Sequence, residues 1–257
     1  MTLPFAITLP HCSDRVPSDI KSTLMLDDTQ IMDSVDLGTA EIFGHMPAEA
    51  VLSASWCRLV VDLNRDHRQR GERGVVPRFD YEGRSVYLPG SGPDEKELAR
   101  RLDRYYFPFH QELTEQLNRT DIKGLLDCHS MNPVGPGQAP DAGMRRKDIV
   151  LSNNGNVMGE EDAALGEITC PGPIMREMKA LLENAGFSVL LNSPYTGGFI
   201  IGHYGPKLMP RGGLAVQIEV NQDLYVDAGA GRPSPEKTAG VGAGILKVLE
   251  RVAGLLP

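Results

Sequence analysis

Lys123-Gly124-Leu125-Leu126-Asp127-Cys128-His129-Ser130 is a short apolar run that closes on polar, chemistry-bearing residues. The run predicts a buried strand, and its tail predicts a strand opening into a loop. Successive side chains on a strand alternate faces, so Asp127 and His129 share one face while Cys128 takes the other. Further strands are predicted at residues 6–9, which close on Pro10-His11, and at residues 55–63, 187–192 and 213–220. Helical spacing of apolar residues predicts helices at 94–118, 170–186 and 235–255. Pro108 should kink the first of these. A short helix is predicted at 36–43, opened by Asp36. Residues 66–93 read as a long loop with a short hairpin, and 193–210 as a polar, glycine-rich loop. Strands alternating with helices predict an α/β fold, with one domain over residues 1–257 and a mixed central sheet flanked by helices. In such sheets ligands collect beyond the carboxyl ends of strands, where His11, residues 58–65, His129 and Glu219 fall.

The chain of 257 residues is 41% hydrophobic and carries a net charge of −8. That apolar content supports a buried core. The acidic balance argues against nucleic-acid or anionic-membrane partners, because phosphates demand a basic face. It leaves room for a small anionic substrate, since a site can be locally basic. No run approaches the ~18 apolar residues of a membrane span. The first ten residues lack the basic start and long apolar core of a signal peptide, so a cytoplasmic protein is expected. Cys12, Cys57, Cys128 and Cys170 are widely spaced and form no CxxC pair, which argues against a disulfide framework or zinc knuckle.

Taken singly, each polar residue near a strand end has an ordinary reading. His11 reads as a loop histidine, Asp36 as a helix cap with Asp33 as its rival, and His129 as a core histidine beside a serine. Taken together, two imidazoles and one carboxylate make a common catalytic zinc shell. Asp127 stands where it could orient the His129 ring. Glu219 sits among apolar strand residues, where burying a carboxylate is costly unless it has a partner or a task such as general base. Arg58, Asn64 and Arg65 could hold a substrate carboxylate in planar, two-pronged fashion, or could pair with Asp62 or Asp66. Tyr195 and His203 flank Gly197-Gly198, a pair that permits close backbone approach. Arg145-Arg146-Lys147 reads as a solvated charged face. Cys12 and Cys128 each adjoin a histidine in sequence, which keeps a cysteine hydrolase as a second class and a non-catalytic metal-binding protein as a third.

Six segments, in order, resemble the N-formylglutamate amidohydrolase family. They are Pro10-His11-Cys12-Ser13, Val35-Asp36-Leu37-Gly38, the run from Arg58 to Asp66, Asp127-Cys128-His129-Ser130, Asn192 to Gly205 with its Pro194-Tyr195-Thr196-Gly197-Gly198, and Gln217-Ile218-Glu219-Val220-Asn221. The resemblance spans residues 10 to 227 and thins at 131–147. It implies a zinc-carboxypeptidase-like (phosphorylase/hydrolase-like) architecture. It also implies Zn2+ or another divalent metal on His11, Asp36 and His129, with Glu219 as general base and Arg58 polarising the scissile carbonyl. Asn64 and Arg65 would then hold the carboxylate of a small substrate such as N-formyl-L-glutamate, with Tyr195 and His203 lining the site. A related N-acyl amino acid is the main variation on that substrate.

Overall fold

The computed structural model describes residues 2–227 and 231–256. Its six-stranded sheet contains β1 (Leu3–Leu9), β2 (Ala48–Ser53), β3 (Gly124–Met131), β4 (Ile149–Ser152), β5 (Val189–Leu191) and β6 (Leu214–Asn221). The order is β2-β1-β3-β6-β4-β5. The first four in that order run parallel, β4 is antiparallel to β6, and β5 follows the direction of β4. The sheet is therefore mixed, and the domain is α/β as expected. A small ribbon of β7 (Val226–Asp227) and β8 (Arg232–Pro233) stands apart from it.

The helices are α1 (Ser18–Lys21), α2 (Asp28–Met32), α3 (Thr39–Phe43), α4 (Glu95–Arg101), α5 (Phe107–Leu117), α6 (Gly172–Asn184), α7 (Phe199–Leu208) and α8 (Pro235–Ala253). Alternation along the strands divides the core in two. Phe5, Ile7, Leu126, Cys128, Val216 and Ile218 pack toward α3, α6 and α8. Ala6, Leu125 and Ala215 pack toward α5 and α7. Thr8, Asp127, His129, Gln217 and Glu219 share the parity of this second set. The site therefore lies on the α5/α7 side, at the carboxyl ends of β1, β3 and β6. No helix among the described residues is long and apolar enough to cross a membrane.

Several expectations are corrected. Residues 55–63 form turns rather than a strand. Leu59, Val60, Val61 and Leu63 are buried in a third cluster drawn from residues 20–106, so their apolarity does not report a sheet. Their backbone bonds are local or reach a neighbouring loop: Val60 N donates to Cys57 O at 2.9 Å, and Asp62 N to Val75 O at 2.7 Å. Residues 199–208, read as loop, are α7. Glycines and Pro206 mask it, but Ile200, Ile201, Tyr204 and Leu208 are buried at helical spacing. Asp36 does not open a helix. It sits in the turn before α3, whose cap is Gly38. The long helix breaks at a π-helical turn, Leu102–Tyr106, just ahead of Pro108. The proline ring would strike the carbonyl four residues back, so the turn widens there. Strands β2 and β4 had no counterpart in the expected elements.

Candidate functional site

Leu9 ends β1, and two residues later His11 turns into the space above the sheet. His129 reaches the same space from β3, and Asp36 from the turn before α3. His11 Nδ1 and His129 Nδ1 are 3.1 Å apart, His129 Nδ1 is 2.8 Å from Asp36 Oδ2, and His11 Nδ1 is 3.5 Å from that oxygen. All three side chains are buried, and they form a group that could hold a metal ion. Asp33, the rival carboxylate, lines the same cavity but stands outside this group and pairs with Arg84 at 2.9 Å.

The far nitrogen of each ring has its own carboxylate. His11 Nε2 lies 2.7 Å from Asp62 Oδ1, and His129 Nε2 lies 3.0 Å from Asp127 Oδ2. A ring that donates its outer N–H to a carboxylate keeps a lone pair on the inner nitrogen. Thr8 Oγ1 donates to Asp127 Oδ1 at 2.7 Å, and Asn64 Nδ2 donates to Asp127 Oδ2 at 2.9 Å. Asp127 thus orients His129, as the strand alternation suggested. Asp62 does the same for His11.

The donor chemistry fits a divalent cation. Ligand bonds of about 2.1 Å in tetrahedral array place donor atoms roughly 3.4 Å apart, close to the separations found. Charge points the same way. Asp36, Asp62, Asp127 and Glu219 are all buried here, and half-buried Arg58 is the guanidinium within 4 Å of both Asp36 and Asp62, with Arg65 3.9 Å from Asp62 and Arg146 acting on Glu219 from further off. Such a carboxylate surplus calls for added positive charge. Burial alone would favour a neutral His129. The charge of Asp127 and the bonds to Asp127 and Asp36 outweigh burial and hold its pKa well above the imidazole range. A proton on His129 then stands in for a cation. Burial would raise Asp36, but hydrogen bonds from His11 and His129 and the charge of both rings hold it well below the carboxylate range.

Glu219 pairs in register with His129 across β3 and β6. Burial pushes it up to about 8, with Asp36 and Asp127 adding to the effect and His129 opposing it. Gln217 Nε2 donates to Glu219 Oε1 at 2.9 Å. Above these groups opens a cavity of about 670 Å³.

The other expected site residues divide. Arg58 lines the cavity, with Nη2 2.9 Å from Asp62 Oδ2, Nη1 3.8 Å from Asp36 Oδ1, and its guanidinium over the Tyr81 ring. Arg65 lines it too and donates to Tyr81 Oη at 3.0 Å. Asn64 is differently employed. Its Nδ2 serves Asp127 and its Oδ1 accepts from Ile200 N at 2.8 Å, so it ties the strand end to α7 with its amide already in use. A Cβ at Gly198 would fall 2.3 Å from that amide, which is the close approach the glycine pair permits. Tyr195 lines the cavity and accepts from Arg146 Nη2 at 2.7 Å. His203 is not brought to the cavity. It is exposed on the outer side of α7, stacked on Phe199 and 2.8 Å from Lys207 Nζ, because it falls on the helix face away from buried Ile201, Gly205 and Leu208.

Sequence reasoning missed Asp62 as a partner of His11, and missed Arg146, Tyr81, Arg73 and Gln138 on the cavity wall. Arg146 is buried and grips Asp141 through two bonds of 2.8 and 2.7 Å, whereas Arg145 beside it is exposed. Three consecutive basic residues carry no sequence signal for which one turns inward. Neither candidate thiol belongs to the site. Cys128 lies in the opposite core with burial pushing its thiol far up, and Cys12 bonds to Leu9 O at 3.3 Å.

Fold and site together define an α/β protein with a buried His–Asp–His group at the carboxyl ends of parallel strands. The N-formylglutamate amidohydrolase family model matches residues 3–226, and the chain belongs to that family of amidohydrolase enzymes. N-formylglutamate deformylase from Pseudomonas aeruginosa is 26% identical over 242 residues, covering 88% of this chain and 83% of that protein. N-formylglutamate deformylase from Pseudomonas putida is 26% identical over 241 residues, covering 88% and 82%. The fold matches the crystal structure of an N-formylglutamate amidohydrolase from Ralstonia eutropha JMP134, with TM-score 0.79, 21% identity and coverage of 99% of this chain and 94% of the other. It also matches a gene product of Agrobacterium tumefaciens, with TM-score 0.71, 20% identity and coverage of 98% and 91%.

Proposed function

We propose that this protein hydrolyses the amide of N-formyl-L-glutamate, releasing glutamate and formate, with a divalent metal on His11, Asp36 and His129. The observation that carries the reading is the convergence of those three ligand atoms within 4.8 Å, beside Glu219 and beneath an arginine-lined cavity. The names of the curated relatives support the choice of substrate.

Two imidazoles and one carboxylate favour zinc, which when bound would acidify a water and polarise a carbonyl. Glu219 takes the proton of the attacking water and returns it to the leaving nitrogen. Its position near pH 8 without a cation falls when a dication is close, which brings it into the range of a working base. Arg58, fixed by Asp62 and Tyr81, faces the negative charge that grows on the carbonyl oxygen. Arg65 binds the substrate carboxylate, and Tyr195 offers its phenolic proton from the other wall. Asp62, Asp127 and Asn64 hold the rings in place.

The test is turnover of N-formyl-L-glutamate by the purified protein before chelation, after it, and after zinc is added back. Activity should vanish and return. Activity that survives complete metal removal would sink the metal reading. Silence of the zinc-loaded protein across N-formyl and N-acetyl amino acids would sink the substrate reading.

A further inference from the structure

Four arginines line the cavity: Arg58, Arg65, Arg73 and Arg146. Their charges are not equally available. Arg58 lies 2.9 Å from Asp62, and Arg146 holds both oxygens of Asp141. Arg65 approaches Asp62 only to 3.9 Å. Arg73 pairs with no carboxylate among the described residues. One of its five N–H donors is used, from Nη1 to Gln138 O at 2.9 Å.

These arginines also mark depth. The side chains of Arg58 and Arg65 are 12% and 31% exposed, and Arg73 lies in the open at the mouth. The two with spare charge therefore both line the cavity, Arg65 half-buried and Arg73 in the open. A glutamate-type substrate carries two carboxylates, one beside the reacting amide and one at the end of its side chain.

The loop that carries Arg73 is a built one. Gly74 N donates to Gly71 O at 2.9 Å, and Val75 N to Gln69 O at 3.0 Å. A Cβ at Gly74 would lie 2.4 Å from Gln69 O, so the turn excludes any side chain there. Val75 is fully buried, and its carbonyl accepts from Asp62 N. Arg73 is thus anchored two residues from the backbone of the carboxylate that holds His11. The Gln138 carbonyl ties it to a second loop that lines the cavity.

We propose that Arg73 is a specificity residue that reads the distal carboxylate of the substrate. The assignment rests on the N-acyl amino acid reading above. A planar guanidinium with free donors is suited to a carboxylate, and the fixed loop limits the entropy lost on binding.

The experiment compares wild type, Arg73→Met and Gly74→Ala on N-formylglutamate and on N-formylglutamine, which lacks the distal charge. Arg73→Met should lower kcat/KM for N-formylglutamate about tenfold, through KM, and leave N-formylglutamine unchanged. Gly74→Ala should shift the preference the same way by a smaller factor. Equal losses on both substrates, or none on either, would overturn the proposal. A second arm measures glutarate and butyrate binding to the same proteins by calorimetry. Wild type should prefer glutarate, and Arg73→Met should erase the preference. If no N-formyl acid is turned over yet that preference depends on Arg73, the substrate reading fails and the carboxylate site stands. A preference untouched by Arg73→Met overturns the site.

Discussion

The floor of the cavity and its mouth are built on opposite principles. At the floor, His11, Asp36, Asp62, Asn64, Asp127 and His129 are buried, and nearly every polar atom has a partner within 3.1 Å. At the mouth, Arg65, Arg73 and Tyr195 come from loops, and donors remain to spare. Chemistry needs fixed geometry in a low-dielectric setting, so its groups, on the end of β3 and on the turns packed against it, lock one another. Recognition needs groups that exchange water for ligand, so they stay half-exposed. Floor variants should therefore change kcat or metal affinity, while mouth variants change KM and substrate preference.

The largest effect is expected at Glu219. Glu219→Gln should lower kcat by roughly 10³-fold or more while the metal content of the purified protein is unchanged. Near-normal turnover in that variant would remove the general-base role. Next come the carboxylates behind the rings. Asp127→Asn or Asp62→Asn should weaken zinc about 10- to 100-fold, read by competition with a chelating dye. Undiminished affinity would mean that these bonds are structural and do not tune the ligands. Smaller again is the effect of Tyr195→Phe, expected to raise KM several-fold with the fold intact, since Arg146 keeps Asp141. A dominant fall in kcat would instead place the Tyr195 phenol with the floor.

A last prediction concerns stability beneath the floor rather than turnover. His110 Nε2 donates to Leu63 O at 3.0 Å, next to Asn64, and its Nδ1 faces Tyr204 Oη at 3.0 Å. Burial first, with His203 and His67 adding to it, lowers its pKa to about 4 against the opposition of Leu63 O and Asp127. Between that value and the unfolded value of about 6.5, only the unfolded chain takes up the proton. Stability attributable to this ring is thus full above about pH 6.5 and falls as pH drops toward 4, by at most about 3 kcal/mol. Urea midpoints at pH 7 and pH 5 should show a steeper loss in wild type than in His110→Gln. Parallel losses would rule out His110 as the source.

Much of the floor was legible in sequence because its residues lie on or beside strands. An apolar run that closes on Asp127 and His129 fixes which of them share a face, and Glu219 amid Val216, Ile218 and Val220 stands out as a carboxylate without a solvent-facing neighbour. The mouth was not legible. Arg145 and Arg146 differ in fate only because the chain turns between Asp141 and β4. His203 and Tyr195 looked equivalent beside Gly197-Gly198 until α7 wound one of them outward. Residues 55–63 misled for a related reason, since apolar residues buried by loops look the same in sequence as those buried in a sheet.

The sequence by itself determined the α/β class, the strands β1, β3 and β6, and the family to which six ordered segments pointed. These follow from periodicity and local chemistry, which act over a few residues. Only the tertiary structure decided that Asp36 rather than Asp33 joins the histidines, that Asp62 supports His11, and that Asn64 holds the site together. These pairings link residues 51 to 119 positions apart. A pairing across such distances is set by how the sheet stacks its strand ends, and no local signal carries it.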